Sequence, residues 1–336
     1  MEFVMLQLEN GSNKRLEEIG FYTLCNERAE NISAFSPMWR CEIIITDRCN
    51  FNCTYCRGLR PDCKGELSTD RVIDITNMWA DEGLKNIRYS GGEPTVHKGI
   101  VKIVENAKKM NVNRIAISTN GSADIDLYMR LYEAGVNDFS ISLDACCSLF
   151  GDKIAGIDGS FDIVVNTIRT LSALTYVTVG SVITEDSVDQ VADIVKFAHD
   201  LGVADIRLIS AAQYNRLLDG VDKIDKDILE SHPILKYRVN NLLHGRNVRG
   251  LKQNDCHRCH LVQDDSAVAG DYHFPCIIYM REQGDPIGNI GPGMREERIA
   301  WFRDHDIFLD PICRKNCLDV CIDFNNYCDK CQPVMS

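Results

Sequence analysis

Thr46-Asp-Arg-Cys49-Asn-Phe-Asn-Cys53-Thr-Tyr-Cys56 is the stretch on which the reading of this chain turns. It follows a compact apolar run at 41–46 that reads as a β-strand, so the three cysteines fall on the loop leaving that strand. Their spacing is C-x3-C-x2-C. A cubane iron–sulfur cluster ordinarily takes four cysteines, so three leave one iron open to an outside ligand carrying, for example, an amino and a carboxylate group. Zinc is the competing occupant. It wants a fourth protein ligand, for which Cys63 is the nearest candidate.

Outward from this loop the chain alternates short β-rich runs with amphipathic stretches. Strands are expected at 41–46, 86–90, 114–119, 138–143, 176–183 and 205–209, each rich in Ile, Val or aromatics. Helices are expected at 69–83, with Val72, Ile75, Met78 and Trp79 on one face, at 99–110 and at 187–201. Six successive β–α units imply a parallel sheet with helices packed outside. The pattern fits either a doubly wound sheet or a partial barrel. In both, functional loops gather at the carboxyl ends of the strands.

At 336 residues and 45% apolar composition the chain can bury a large core. Its net charge of −12 lowers the expectation of a nucleic-acid partner, which needs a basic face. The first ten residues lack the basic start and apolar run of a signal peptide, and no stretch suits a membrane span. A cytoplasmic location is therefore expected. In that compartment sixteen cysteines read as metal ligands rather than disulfides.

Three further pieces sit at later strand ends: Ser90-Gly91-Gly92-Glu93-Pro94-Thr95, Ser118-Thr119-Asn120-Gly121 and Ser142-Leu143-Asp144. Together with the cysteine loop and its Tyr55, this ordered set resembles the radical S-adenosylmethionine (SAM) superfamily, over residues 41–210. The resemblance implies an α/β fold, a partial (β/α)6 TIM-like barrel. It implies a 4Fe–4S cluster on Cys49, Cys53 and Cys56, with SAM on its open iron. Ser90, Gly91, Gly92, Glu93 and Pro94 would then hold the SAM amino group, through backbone carbonyls and the glutamate. Tyr55, Ser118, Asn120, Ser142 and Asp144 would lie near the ribose and substrate, and Ile183 and Ile209 would wall the adenine.

The tail carries Cys256-His-Arg-Cys259, Cys276 and the run Cys313, Cys317, Cys321, Cys328 and Cys331. It resembles the auxiliary-cluster domain called SPASM or its shorter twitch relative, although the intervals within the final run depart from the SPASM pattern. One or two auxiliary 4Fe–4S clusters are implied. Cys256, Cys259 and Cys276 would begin the first, joined by one cysteine of the run, and the other four would hold a second. A structural zinc is the competing reading. His257 and His260 are expected as exposed loop residues, and Cys146 and Cys147 as buried small ones. The expected division is an N-terminal extension (1–40) wrapping the first strand, a barrel (41–215), a helical connector (216–245) and a small auxiliary-cluster domain (246–336) with little apolar mass of its own.

The implied activity is reductive cleavage of SAM to a 5′-deoxyadenosyl radical that takes hydrogen from a substrate, with electrons from a flavodoxin- or ferredoxin-like donor. SPASM likeness points to oxidation or cross-linking of a peptide or protein. The alternative is a small-molecule enzyme, such as a nucleotide cyclase or a sugar-alcohol dehydrogenase. The closing Pro-Val-Met-Ser lacks the Gly-Gly pair associated with the molybdenum-cofactor cyclase. A third class is an iron–sulfur electron carrier without SAM turnover.

Overall fold

The computed structural model describes residues 26–211 and 220–331. The expected contribution of Phe21, Tyr22 and Leu24, the boundary at 215 and the start of the connector lie outside them. Nine strands form one sheet: β1 (Arg40–Thr46), β2 (Asn86–Gly91), β3 (Arg114–Thr119), β4 (Asp138–Ser142), β5 (Tyr176–Ile183), β6 (Asp205–Ser210), β7 (Asp265–Ala269), β8 (Tyr272–Phe274) and β9 (Gly288–Asn289). The order is β6-β5-β4-β3-β2-β1-β7-β8-β9. From β1 to β6 every pair is parallel and each strand adds beside its predecessor. Within β1 to β6 there is no switch point of the kind that divides a doubly wound sheet, and these six strands form the wall of an open, partial barrel before β7 returns beside β1.

Thirteen α-helices accompany the described strands: α1 (Asn26–Asn31), α2 (Thr69–Asp81), α3 (Ile100–Lys109), α4 (Ile125–Ala134), α5 (Ser148–Ala155), α6 (Ser160–Ser172), α7 (Val191–Asp200), α8 (Lys226–Ser231), α9 (Pro233–Leu243), α10 (Ile277–Arg281), α11 (Met294–Asp304), α12 (Pro311–Asn316) and α13 (Asp319–Cys331). The apolar faces of α2, α3, α6 and α7 lie against one side of the sheet. Val72, Ile75 and Trp79, Ile103 and Val104, and Ile194 and Val195 meet Ile43, Ile87, Ile117, Val179 and Ile206 there. Strand alternation turns the intervening residues inward, and these are strongly polar: Glu42, Arg88, Ser118, Asp138, Ser140 and Arg207. Buried polar groups must find partners. Asp138 pairs with Arg88 (3.4 Å) and Arg114 (3.2 Å), and Arg88 Nη1 donates to Ser118 Oγ (2.9 Å).

The tail contributes three short strands, β7 to β9, to the same sheet. β7 pairs parallel with β1 along Arg40↔Asp265 to Ile44↔Ala269, so the sheet runs across the boundary expected at residue 246. The cysteine run 313–331 lies in helices. Within the N-terminal extension, α1 packs on α13 rather than around the first strand: Arg28 pairs with Asp264, and Ala29 and Ile32 bury against Phe324 and Cys328.

Candidate functional site

The cysteine loop is fastened to the turn after β2. Gly92 N donates to Thr46 O and Glu93 N to Arg48 O, both at 2.8 Å. A Cβ on Gly91 would stand 2.2 Å from Thr46 O and one on Gly92 2.3 Å from Arg48 O, so only glycine permits this approach. Behind the turn, Glu93 is buried. Its Oε1 accepts from Thr95 N (3.1 Å), Thr95 Oγ1 (2.7 Å) and Thr119 Oγ1 (2.7 Å), and its Oε2 from Asn120 N (2.6 Å). Burial pushes this carboxyl up while those four donors pull it down. Glu93 therefore braces the turn from behind, with both carboxylate oxygens engaged by donors within the protein.

In front lies a cavity of about 360 Å³ at the carboxyl ends of the strands. It is walled by Cys49, Cys53, Cys56, Tyr55, Ser90, Gly91 and Gly92, and by Ser118, Asn120, Ser142, Asp144 and Ile209. Asn120 Nδ2 reaches Cys49 Sγ (4.0 Å) and Asn50 Oδ1 (2.9 Å). Tyr55 donates its hydroxyl to Asp144 Oδ2 and Val182 N donates to Asp144 Oδ1 (2.7 Å). Burial raises Asp144 to about 6 against those two bonds. It also raises Cys53 to about 11, so an unliganded loop holds thiols and metal binding must release protons. Ile183 is a correction: it is wholly buried on the helix side, and its neighbour Val182 takes the cavity wall. Cys63 is buried with Ile44 and Phe274 and does not line the cavity, so it is no fourth ligand to this loop.

Glu42, Ser140, Arg207 and Arg281 also line this cavity and were missed in the sequence. For Glu42, Ser140 and Arg207 the signal was available as polar residues at alternate strand positions, where an apolar core would forbid them, whereas Arg281 ends α10 and carried no such signal.

A second cavity, of about 200 Å³, is lined by Cys259, Cys276, Cys313, Cys317 and Cys321 with Arg40, Arg88 and Arg207. Cys259 precedes a 3-10 turn (His260–Gln263), Cys276 caps α10, and Cys313, Cys317 and Cys321 follow at four-residue steps through α12 and α13. Burial pushes Cys259 to about 12 and raises Cys317 and Cys321 well above the ordinary thiol value, and neighbouring thiols add to the rise. The second cavity does not gather every expected tail cysteine. Cys256 stands apart beside His260, Cys328 is buried with Ile32 and Phe324, and Cys331 is exposed at the end of α13. His260 is buried rather than exposed, whereas Cys147 is exposed and Cys146 half-buried.

Residues 43–198 match the Radical SAM superfamily. A probable GTP 3′,8-cyclase of Sulfurisphaera tokodaii is 25% identical over 219 residues, 60% of this chain and 70% of that protein. The GTP 3′,8-cyclase of Haemophilus influenzae is 30% identical over 145 residues, 39% of this chain and 43% of its own length. Among solved structures, Streptococcus suis SuiB bound to S-adenosylmethionine superposes with a TM-score of 0.56 at 16% identity, covering 84% of this chain and 69% of SuiB. Native anSMEcpe with bound AdoMet gives 0.56 at 14% identity, covering 87% and 96%. At such identities these two likenesses speak for the fold alone. With the three-cysteine loop, the Gly-Gly turn and the strand-end polar residues converging on one cavity, residues 43–198 carry a radical SAM domain, and the chain is an enzyme of the radical SAM type, which takes a 4Fe–4S cluster and SAM.

Proposed function

We propose that this enzyme acts on a small anionic molecule of the nucleotide kind, held in the barrel lumen between the two thiol-lined cavities. The carrying observation is that the Arg207 side chain lines both cavities. Arg40 and Arg88 continue the guanidinium wall on one side and Arg281 on the other. Planar guanidinium groups suit phosphate and carboxylate recognition. The cyclase relatives support the small-molecule class, the one expected second from sequence, over peptide modification.

In this reading Cys49, Cys53 and Cys56 hold the SAM cluster, and one auxiliary 4Fe–4S cluster takes its ligands from Cys259, Cys276, Cys313, Cys317 and Cys321. When bound, cluster and SAM supply radical hydrogen abstraction. The chain supplies the rest. Gly91 and Gly92 let backbone approach the SAM amino group, Asn120 steadies the cysteine loop, and Tyr55–Asp144 ties that loop to β4. Leu143, Val182 and Ile209 give the lumen an apolar side that excludes water. Arg207 and Arg281 orient the anion, and fixing two reactants in one frame lowers the barrier entropically. A flavodoxin- or ferredoxin-like protein is the proposed donor.

The test is 5′-deoxyadenosine release by anaerobically reconstituted, reduced protein offered nucleoside triphosphates, sugar phosphates or short peptides. Saturable stimulation by a phosphorylated compound, lost in Arg207→Ala, is expected. Stimulation by peptides alone would overturn the reading.

A further inference from the structure

Beyond both thiol cavities, a third group of metal-binding side chains lies where α13 covers the start of the tail. Cys256, His260 and Asp329 bring one ligand atom each within 4.8 Å of one another. Cys256 and His260 are buried and Asp329 is partly exposed. The set is one thiol, one imidazole and one carboxylate, the mixture that suits zinc and differs from the all-cysteine surroundings of an iron–sulfur cluster.

The segment is held in place before any ion arrives. Asn326 Oδ1 accepts from Cys256 N (2.6 Å) and Asn325 Oδ1 accepts from His260 N (2.8 Å), so two adjacent α13 side chains fix both ligands' backbones. Arg258 N donates to Cys256 Sγ (3.2 Å), a bond that a coordinated thiolate would keep. Asp329 Oδ1 lies 2.8 Å from His260 Nε2. His260 is only 2% exposed, and its Nδ1 is buried without a hydrogen-bond partner among the described residues.

We propose that Cys256, His260 and Asp329 bind a single zinc-type divalent cation, with water completing the four-coordinate shell on the exposed side of Asp329. The ion would pin α13 to the segment that delivers Cys259 to the second cavity. Its role is therefore structural support of that cavity, and Cys256 is not an iron ligand.

The experiment uses full-length protein reconstituted anaerobically with iron and sulfide, then offered zinc, desalted and analysed for both metals. Wild type is expected to retain about one zinc per chain, the capacity of one mononuclear site. His260→Ala should lose that zinc while retaining wild-type iron. Asp329→Asn, which preserves shape at a partly exposed position, should weaken zinc retention at least tenfold and keep the fold by circular dichroism. Absence of zinc from wild type overturns the proposal, as does zinc retained in both variants. Loss of iron in Cys256→Ser together with unchanged zinc would also overturn it, by returning Cys256 to the iron–sulfur site.

Discussion

Cys276 and Arg281 stand at opposite ends of the five-residue helix α10, and they face different cavities. Cys276 lines the auxiliary cavity. Arg281 lines the first cavity, and its guanidinium donates to Gly58 O (3.2 Å) and Gly91 O (3.3 Å). A single helical turn thus joins the tail's thiols to the cysteine loop and the Gly-Gly turn.

Arg281→Ala should therefore loosen the first cavity without touching the second. The expected result is SAM affinity reduced about tenfold, the cost of losing charge-assisted bonds to two carbonyls, with iron content unchanged. Equilibrium binding and elemental analysis on the same samples check it.

Iron content separates the thiols. Wild type should hold about eight irons, two cubanes' worth, and Cys49→Ala about four. The triple variant Cys313→Ser/Cys317→Ser/Cys321→Ser, which leaves only Cys259 and Cys276 at the second cavity, should also fall to about four, whereas Cys328→Ala, buried among Ile32 and Phe324, should keep the full complement. Cys49→Ala should in addition abolish SAM cleavage.

Glu93→Gln replaces one acceptor with a donor facing either Asn120 N or the two threonine hydroxyls. A destabilisation of about 1–3 kcal/mol is expected for a buried donor left unmatched, with weaker SAM binding. Chemical denaturation under anaerobic conditions measures the first.

Asp205 gives a pH-dependent signature far from the thiols. It accepts from Ile206 N (2.8 Å), Ile234 N (2.9 Å) and Leu235 N (3.3 Å), capping the start of α9. Burial raises it to about 7 despite those bonds. A carboxyl raised on folding favours the native state while protonated, so its contribution is full below the unfolded pKa and is lost as pH rises through about 7. The melting temperature of Asp205→Asn relative to wild type should shift in the variant's favour between about pH 5 and pH 8. A flat difference would contradict this.

The barrel was legible because its strands bury one face in a helix layer and announce themselves as Ile- and Val-rich runs; β1, β3 and β5 fall within a residue of expectation. The first site was legible because three cysteines and a Gly-Gly turn must lie close to one another for backbone reasons. Helices α4, α5 and α6 received no assignment from pattern. The tail resisted for a different cause: β7 has no turn signal tying it to β1, and a parallel pairing spanning more than two hundred residues leaves no local trace. Cys313, Cys317 and Cys321 are brought together by a break between α12 and α13 at Cys317, which no spacing rule announces. The lumen arginines were invisible to motif reading because strand residues were weighed for apolar content rather than for which face they occupy.

The parallel ladder between β1 and β7 carries a mechanical implication. Both thiol-lined chambers are attached to neighbouring strands of one hydrogen-bonded lattice, so the register of β1 with β7 and not the connector sets how they are spaced. Lengthening the connector around residue 245 would leave that gauge untouched. Shifting β7 by one rung would turn Ala267 and Ala269 away and swing Ser266 and Val268 into their place, misaligning any electron path between the chambers at a stroke.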